Sequence, residues 1–464
     1  MTEQLNVGSH DLPITDALAA YMSTGWADTR QTDLAALPVA AWTAKRRATL
    51  AARFPGERLI IPSGTLQARS NDDDHRFRTH SAFAYLTGDT QPDDVLVVEP
   101  SGEAVLYLRP RSPRSSGQEF YRDRRFGEFW VGRRPDLDEA AALYQIECAH
   151  IDSLDLDAPA RVLRDVDATV DARAPRGGGD AELEMYLSEM RLIKDEWEVG
   201  ELQFSVDATV RGFEDVVRAL PEAMRHARGE RYLEGVFGLR SRLEGNAVGY
   251  QSIVASGAHA CVLHWIRNDG RLDPGNLLLL DAGVETDSLY TADITRTLPL
   301  SGRFSPVQRQ IYELVYEAQN AGIAALRPGA RFRDFHLAAM RVIAEGLHSW
   351  GLLKDSPESL MESGLYRRYT LCSSGHMLGL DVHDCAKARN TAYLDGVLEE
   401  GQVLTVEPGL YLQPDDLTLP EEFRGIGVRV EDDLVITSDG ARLMSAALPR
   451  HPDEIETWMA TLLS

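Results

Sequence analysis

The chain has 464 residues, 44% hydrophobic and 26% charged, and its 72 acidic and 48 basic residues leave a formal net charge of −24. That length exceeds what one ordinary core organises, so two domains are predicted in a globular protein. The negative balance argues against nucleic acid or an anionic membrane as partner, because phosphates are repelled along most of the surface. No apolar run approaches the ~20 residues that span a bilayer. The start, MTEQLN, lacks the basic stretch and apolar core expected of a signal peptide. Cys148, Cys261, Cys372 and Cys385 form no CxxC pair. A reducing compartment, the cytoplasm, is therefore expected, without a disulfide framework or a thiolate zinc site.

Residues 1–40 read as a weakly patterned leader with a helical start over 11–22. From 41 to 175 the pattern predicts a small α/β domain. It comprises a basic helix (Thr43 to Phe54), a strand (Arg58 to Pro62) and a hairpin of Val95–Val98 and Ala104–Leu108 about Pro100-Ser-Gly102. Helices follow over Leu137 to Tyr144 and Pro159 to Arg164. Within this domain ARSNDDDHRFRTHSAFAYLTG (68–88) is a polar loop entering an aromatic segment. Its Asp72, Asp73, Asp74, His75 and His80 resemble ligands, but a solvated loop tied by ion pairs explains each one singly. Three consecutive glycines, Gly177 to Gly179, mark a linker, and a second domain is predicted over 181–464.

That domain starts with a long helix whose apolar residues Val199, Leu202, Val206, Val210, Phe213, Val217 and Leu220 recur every three or four positions, closed by Pro221. A second helix, a strand over Tyr250 to Ala255 and a loop with His264 follow. The apolar run Asn276 to Asp281 and the β-branched run Leu289 to Leu298 predict a hairpin, turned at Glu285 to Ser288. Asp281 and Asp293 become near cross-strand neighbours, roughly 5 Å apart. Carboxylates so close repel unless a proton or a cation lies between them. Ser305-Pro306 is an N-cap with proline at the first helical position, starting a helix to about Leu326, and another helix spans Asp334 to Trp350. Strand-and-loop segments over 370–386, 403–412 and 425–437 complete a helix-helix-sheet pattern seen twice, without a sequence repeat.

His376, in SGHMLGLDVHD, sits among glycines that allow close backbone approach. Glu407 interrupts an apolar strand before Pro-Gly, and Glu431 alternates with valines. Singly, each is an ordinary paired residue; with Asp281 and Asp293 they make four carboxylates and one imidazole. Two divalent cations balance those four charges and leave room for a bridging hydroxide. Hard oxygen donors without thiolate favour Mn²⁺, with Co²⁺ or Zn²⁺ as substitutes. Such a pair generates a nucleophile at neutral pH and stabilises the oxyanion it forms.

These motifs resemble the metallopeptidases of the pita-bread fold, the group of methionine aminopeptidase, prolidase and aminopeptidase P. The five ligands match in order, type and local motif. The 68–88 segment and Glu119-Phe-Tyr-Arg-Asp-Arg also resemble the N-terminal domain of aminopeptidase P, which methionine aminopeptidase lacks. The resemblance covers roughly 43–445. It implies an α/β (α+β) chain with a C-terminal pita-bread catalytic domain and a smaller N-terminal domain, acting on peptides with proline second. It further implies that Asp293 and Glu431 bridge the metals, Asp281 binds one, and His376 with Glu407 the other. Glu407 would shuttle the proton. His264 and His383 would steady carbonyl oxygens, Arg429 and Tyr411 would orient carboxylates, and Tyr250 would face the substrate. Asp72 would reach a neighbouring subunit's site in a homo-oligomer, a dimer or tetramer. One position departs: Cys372 stands where aminopeptidase P typically has an active-site histidine, and a thiol is shorter and donates weakly. Prolidase shares the ligand set and stays open as an alternative. A metal-free binding module or a metal-independent hydrolase would have substituted ligands, and all five are present. A Cys372-based nucleophilic set leaves those five unexplained.

Overall fold

A computed structural model describes residues 13–71, 73–115 and 117–464 of the chain. It divides into two compact units between Leu187 and Ser188. The division falls inside helix α4, defined below, and not at the glycine run.

The first unit is built on a five-stranded sheet. Its strands are β1 (Leu59–Pro62), β2 (Val95–Val98), β3 (Ala104–Leu108), β4 (Glu147–His150) and β5 (Arg161–Val162), in the order β4-β3-β2-β1-β5. The central pairs are antiparallel and the two edge pairs parallel. Ile60, Val95, Val97 and Val162 bury their side chains in one cluster with Leu154 and Val170. Helices α1 (Ala40–Arg53), α2 (Ser81–Thr87), α3 (Leu137–Tyr144) and α4 (Asp180–Glu189) belong to this unit or to its end.

One local reading is corrected here. The segment Pro159 to Arg164, expected as a helix, supplies β5. Its backbone is claimed by β1, with Arg161 N–H donating to Arg58 O at 2.8 Å and Leu163 N–H to Ile60 O at 2.9 Å. Arg161 is held by Glu57 and Glu182, so long-range pairing overrides a six-residue local preference. The aromatic segment is α2. His80 caps it by accepting from Ala82 N–H at 3.2 Å, and Gly88 ends it at φ +73°, where a Cβ would lie 2.5 Å from Val39 Cγ1. Asp73 pairs with Arg69 at 2.9 Å, the ion-paired loop the simpler reading predicts.

The second unit opens with α5 (Glu196–Ala223), capped by a reciprocal Asp195–Glu198 box, and α6 (Gly229–Glu244). Pro221 does not close α5. It sits in the last turn, where its missing N–H leaves the Val217 carbonyl without its helical donor and the helix runs only two residues further. Strands β6 (Ile253–Ser256), β7 (Leu277–Ala282) and β8 (Ile294–Pro299) form an antiparallel sheet with β7 central. Helix α7 (Pro306–Ala325) starts as predicted, with Ser305 as cap and Gln308 closing the box, and packs on α8 (Phe332–Ser349). A second set of strands follows: β9 (Val403–Val406), β10 (Gly409–Leu412), β11 (Ile426–Arg429), β12 (Asp432–Thr437) and β13 (Gly440–Leu443). They pair as β9-β12-β13 and β10-β11.

The predicted hairpin exists with a different register. Asp281 faces Thr295, and the last pair is Ala282 with Ile294, so Asp293 lies diagonal to Asp281 on the same face. Residues 289–293 are not regular strand. Helix α5 shapes this irregular backbone through two buried hydroxyls. Ser205 Oγ donates to Val284 O and accepts from Ala292 N–H, while Thr209 Oγ1 accepts from Val284 N–H at 2.9 Å. Gly283 is required, since a Cβ there would meet Ala292 O at 1.7 Å.

Behind the hairpin, Arg296 is fully buried with every guanidinium nitrogen engaged. It donates to Pro449 O, Thr295 O, Glu431 O, Leu448 O and, at 2.6 Å, Asp432 Oδ1. Asp432 also accepts from Gln319 and Ser445. Removing one partner of such a pair strands a buried charge. Arg296→Ala is expected to lower stability by roughly 3–5 kcal/mol, and Arg296→Met with Asp432→Leu by much less. Chemical denaturation of the two variants checks this; equal losses would mean that the charge itself is not what matters.

Candidate metal centre and active site

The diagonal of the hairpin sets the site. Asp281, at the end of β7, and Asp293, just before β8, are 6% and 5% exposed, and both carboxylates reach the Tyr250 hydroxyl, at 2.6 and 2.5 Å. A hydroxyl has one proton to give, so these two contacts cannot both be ordinary hydrogen bonds to carboxylates. The acids are crowded, as the spacing of their strands requires.

Three further donors arrive from the second set of strands. Glu431 precedes β12 and is 1% exposed; its Oε2 accepts from Thr295 Oγ1 at 2.7 Å, while Oε1 is buried without a hydrogen-bond partner. Glu407 lies between β9 and β10. His376 is fixed by β9: its N–H donates to Thr405 Oγ1 and its carbonyl accepts from Thr405 N–H. The ring presents Nε2 to Asp293 at 3.3 Å and to Glu407 at 3.7 Å, and Nδ1 lies 3.1 Å from Met377 O. Donor atoms of Asp293, His376 and Glu431 lie within 4.8 Å of one another, close enough to share an ion.

The electrostatics match that geometry. Burial pushes Asp281 up despite Arg429 beside it, and pushes Glu431 well above the carboxylate range, with Asp293 and Glu407 adding to the effect. Glu407 is pushed up to about 7, first by burial. Asp293 is the exception: burial raises it, but hydrogen bonds from His376 and Tyr250 outweigh that and hold it below the usual value. Burial lowers His376, and the Asp293 hydrogen bond with the Glu407 charge more than restores it, to about 9. Four acids and one imidazole short of positive charge, with one carboxylate oxygen unpartnered, fit divalent cations bound through oxygen.

These residues line a cavity of about 500 Å³ together with His264, His383, Tyr411 and Arg429. His264 and His383 are exposed to it, and the His383 ring stands edge-on to His376 at 4.5 Å. Arg429 is 4% exposed; it donates to Asp281, to Thr295 Oγ1 at 3.1 Å and to the Tyr411 hydroxyl at 2.9 Å. Cys372 lines the cavity from an exposed position. Burial and the Glu407 charge push its thiol up, opposite to what a nucleophilic thiolate needs. Of the expected site residues, all but Asp72 meet in this one cavity; Asp72 lies outside the described residues.

Sequence reasoning missed Thr295, Thr297 and Asp433. Thr297 Oγ1 donates to Arg429 O, and Asp433 accepts from Asp293 N–H. The threonines were findable, since 293, 295 and 297 share one face at period two.

Comparison with known proteins agrees. Residues 201–438 match metallopeptidase family M24, and residues 43–166 match the aminopeptidase P N-terminal domain. Xaa-Pro aminopeptidase 1 of Streptomyces coelicolor is 57% identical, over 97% of this chain and 93% of its own. The structure of Pseudomonas aeruginosa aminopeptidase PepP superposes with a TM-score of 0.80 at 32% identity, covering 92% of this chain and 99% of that one. Zinc-substituted aminopeptidase P of E. coli, in complex with product, gives a TM-score of 0.78 at 30% identity, over 90% and 98%. The chain belongs to metallopeptidase family M24, as a divalent-metal-binding exopeptidase of pita-bread fold with an aminopeptidase P N-terminal domain.

Proposed function

We propose that this enzyme removes the N-terminal residue of peptides whose second residue is proline. The convergence of Asp281, Asp293, His376, Glu407 and Glu431 on one cavity carries the reading. Those five would hold two divalent cations, Mn²⁺ by the hardness of the donors, with Co²⁺ or Zn²⁺ as substitutes. When bound, the cations supply Lewis acidity and make water acidic enough to attack at neutral pH.

The chain's own groups do the rest. An Xaa-Pro bond is a tertiary amide without N–H and with a fixed φ, so the site must accept the ring and protonate the nitrogen as it leaves. Glu407 takes the proton of the attacking water on its carboxylate and delivers it to the proline nitrogen. His264 and His383 donate to the scissile and proline carbonyl oxygens. Arg429 fixes Asp281, and Tyr411 braces Arg429 from its other side. Tyr250 borders the substrate, whose ammonium group suits the acidic floor. We place Asp72 at a neighbouring subunit's site in a dimer or tetramer. Free thiols at all four cysteines fit a cytoplasmic enzyme. Among the described residues no helix is long and apolar enough to cross a membrane.

Stripping the metal should abolish activity, and Mn²⁺ should restore cleavage of an Xaa-Pro tripeptide at a rate above that of an Xaa-Pro dipeptide. Activity on the dipeptide alone would make the enzyme a prolidase; full activity without metal would sink both readings. Asp293→Ala should cost both metal ions, and Asp281→Ala chiefly one, by elemental analysis of the purified variants. Cys372→His should raise kcat/KM on the tripeptide, whereas an unchanged value would mean that the site has compensated for the shorter side chain.

A further inference from the structure

Glu230, on α6, is 0% exposed and does not line the cavity. Its carboxylate accepts four hydrogen bonds, all from residues 256–270. Oε1 accepts from Ser256 N–H at 2.8 Å and His259 Nδ1 at 2.7 Å, and Oε2 from Trp265 Nε1 at 2.9 Å and Gly270 N–H at 2.6 Å. A carboxylate only accepts, so His259 must carry its proton on Nδ1. A Cβ on Gly270 would stand 2.7 Å from both carboxylate oxygens, so the backbone can come this close only as glycine. The His259 ring stacks on Trp265 with centroids 3.8 Å apart, and Trp265 packs against Ile253, Ala255, Ala260 and Leu279.

The same loop is pinned again near its far end. Asn268 is fully buried at φ +45°, accepts from Val254 N–H at 2.9 Å and donates to Ser252 O at 2.9 Å. His264 stands next to Trp265 and is exposed to the cavity. One neighbour is anchored on the carboxylate and the other is presented to substrate.

We infer that Glu230 is the positioning residue for His264, with its carboxylate holding the 256–270 loop so that the imidazole meets the substrate carbonyl. The inference rests on the substrate role given to His264 above. Glutamine cannot replace the acid without loss, because its NH₂ would confront Trp265 Nε1–H and Gly270 N–H in one orientation and Ser256 N–H in the other, even with His259 turned to accept.

A double-mutant cycle tests this. Glu230→Gln should lower kcat/KM on an Xaa-Pro tripeptide about 10- to 100-fold, as misplacing a positioned group does. Metal content should stay at the wild-type value. In a His264→Ala background the same change should add less than about twofold, because the group it positions is gone. Trp265→Phe, which removes one donor and keeps a ring, should give the same pattern at about threefold to tenfold, and carries the cycle if Glu230→Gln fails to fold. Hydrogen exchange of residues 257–270 should quicken in both variants. Losses that multiply independently, or a Trp265→Phe enzyme with a loosened loop and full activity, would overturn the assignment to Glu230 alone. A His264→Ala enzyme with wild-type kcat/KM would overturn the role of His264 and the positioning with it.

Discussion

The cavity of the second unit is built around the repulsion among four carboxylates, with Asp281, Asp293 and Glu431 buried and Glu407 half-buried. Charges separated by less than 4.8 Å, as the donor atoms of Asp293 and Glu431 are, repel by about 3–4 kcal/mol per pair at an effective dielectric of 20. Burial adds to this by removing the water that would otherwise screen them. The protein supplies two fixed counter-charges, Arg429 against Asp281 and His376 against Asp293. It supplies none in contact with Glu431 Oε1. A negative excess remains in the bare site and divalent cations would offset it, so affinity for metal and strain in the bare site have one cause.

A site under that strain needs a stiff frame, and the frame is made of polar groups buried behind it. Ser205 and Thr209 interrupt the apolar face of α5 because they must bond the backbone between the two aspartates. Thr295 bridges Glu431 and Arg429, so one hydroxyl of β8 couples the hairpin to the second set of strands. Arg296 ties β8 to the backbone of Glu431 and to Asp432 from the opposite face. None of these groups is positioned to touch substrate. Their burial is tolerated because their hydrogen bonds are made, and a fully satisfied network is rigid.

The acids and the histidine that line the cavity were legible in the sequence because each is announced locally: an acid ending an apolar run, a histidine among glycines, an acid alternating with valines. The cap of α7 was legible for the same reason, since Ser305, Pro306 and Gln308 carry its geometry within four residues. What was hidden depends on distant partners. Arg161–Val162 is a strand because β1, a hundred residues earlier, offers the Arg58 and Ile60 carbonyls to the N–H groups of Arg161 and Leu163. The hairpin register was misjudged because composition does not say which pairs face each other, and the backbone at 283–284 and 292 is held by α5. Glu230 reads as one more helical acid; only the folded loop reveals that four donors point at it.

Cys372 follows from the same division between charge and wall. Replacing Asp281, Asp293 or Glu431 would change the charge balance of the buried cluster and strand the groups that hydrogen-bond to it. Position 372 is exposed, bears no charge and ligates nothing, so a shorter side chain there alters the shape of the wall and not its electrostatics. The thiol beside Glu407 stays neutral because the cavity wall that covers part of it and that carboxylate both disfavour its anion. A histidine in its place would bring a titratable group against an acid already pushed up to about 7. With a thiol at 372, the groups that set the charge state of Glu407 are its burial and the His376 and Arg429 charges beside it.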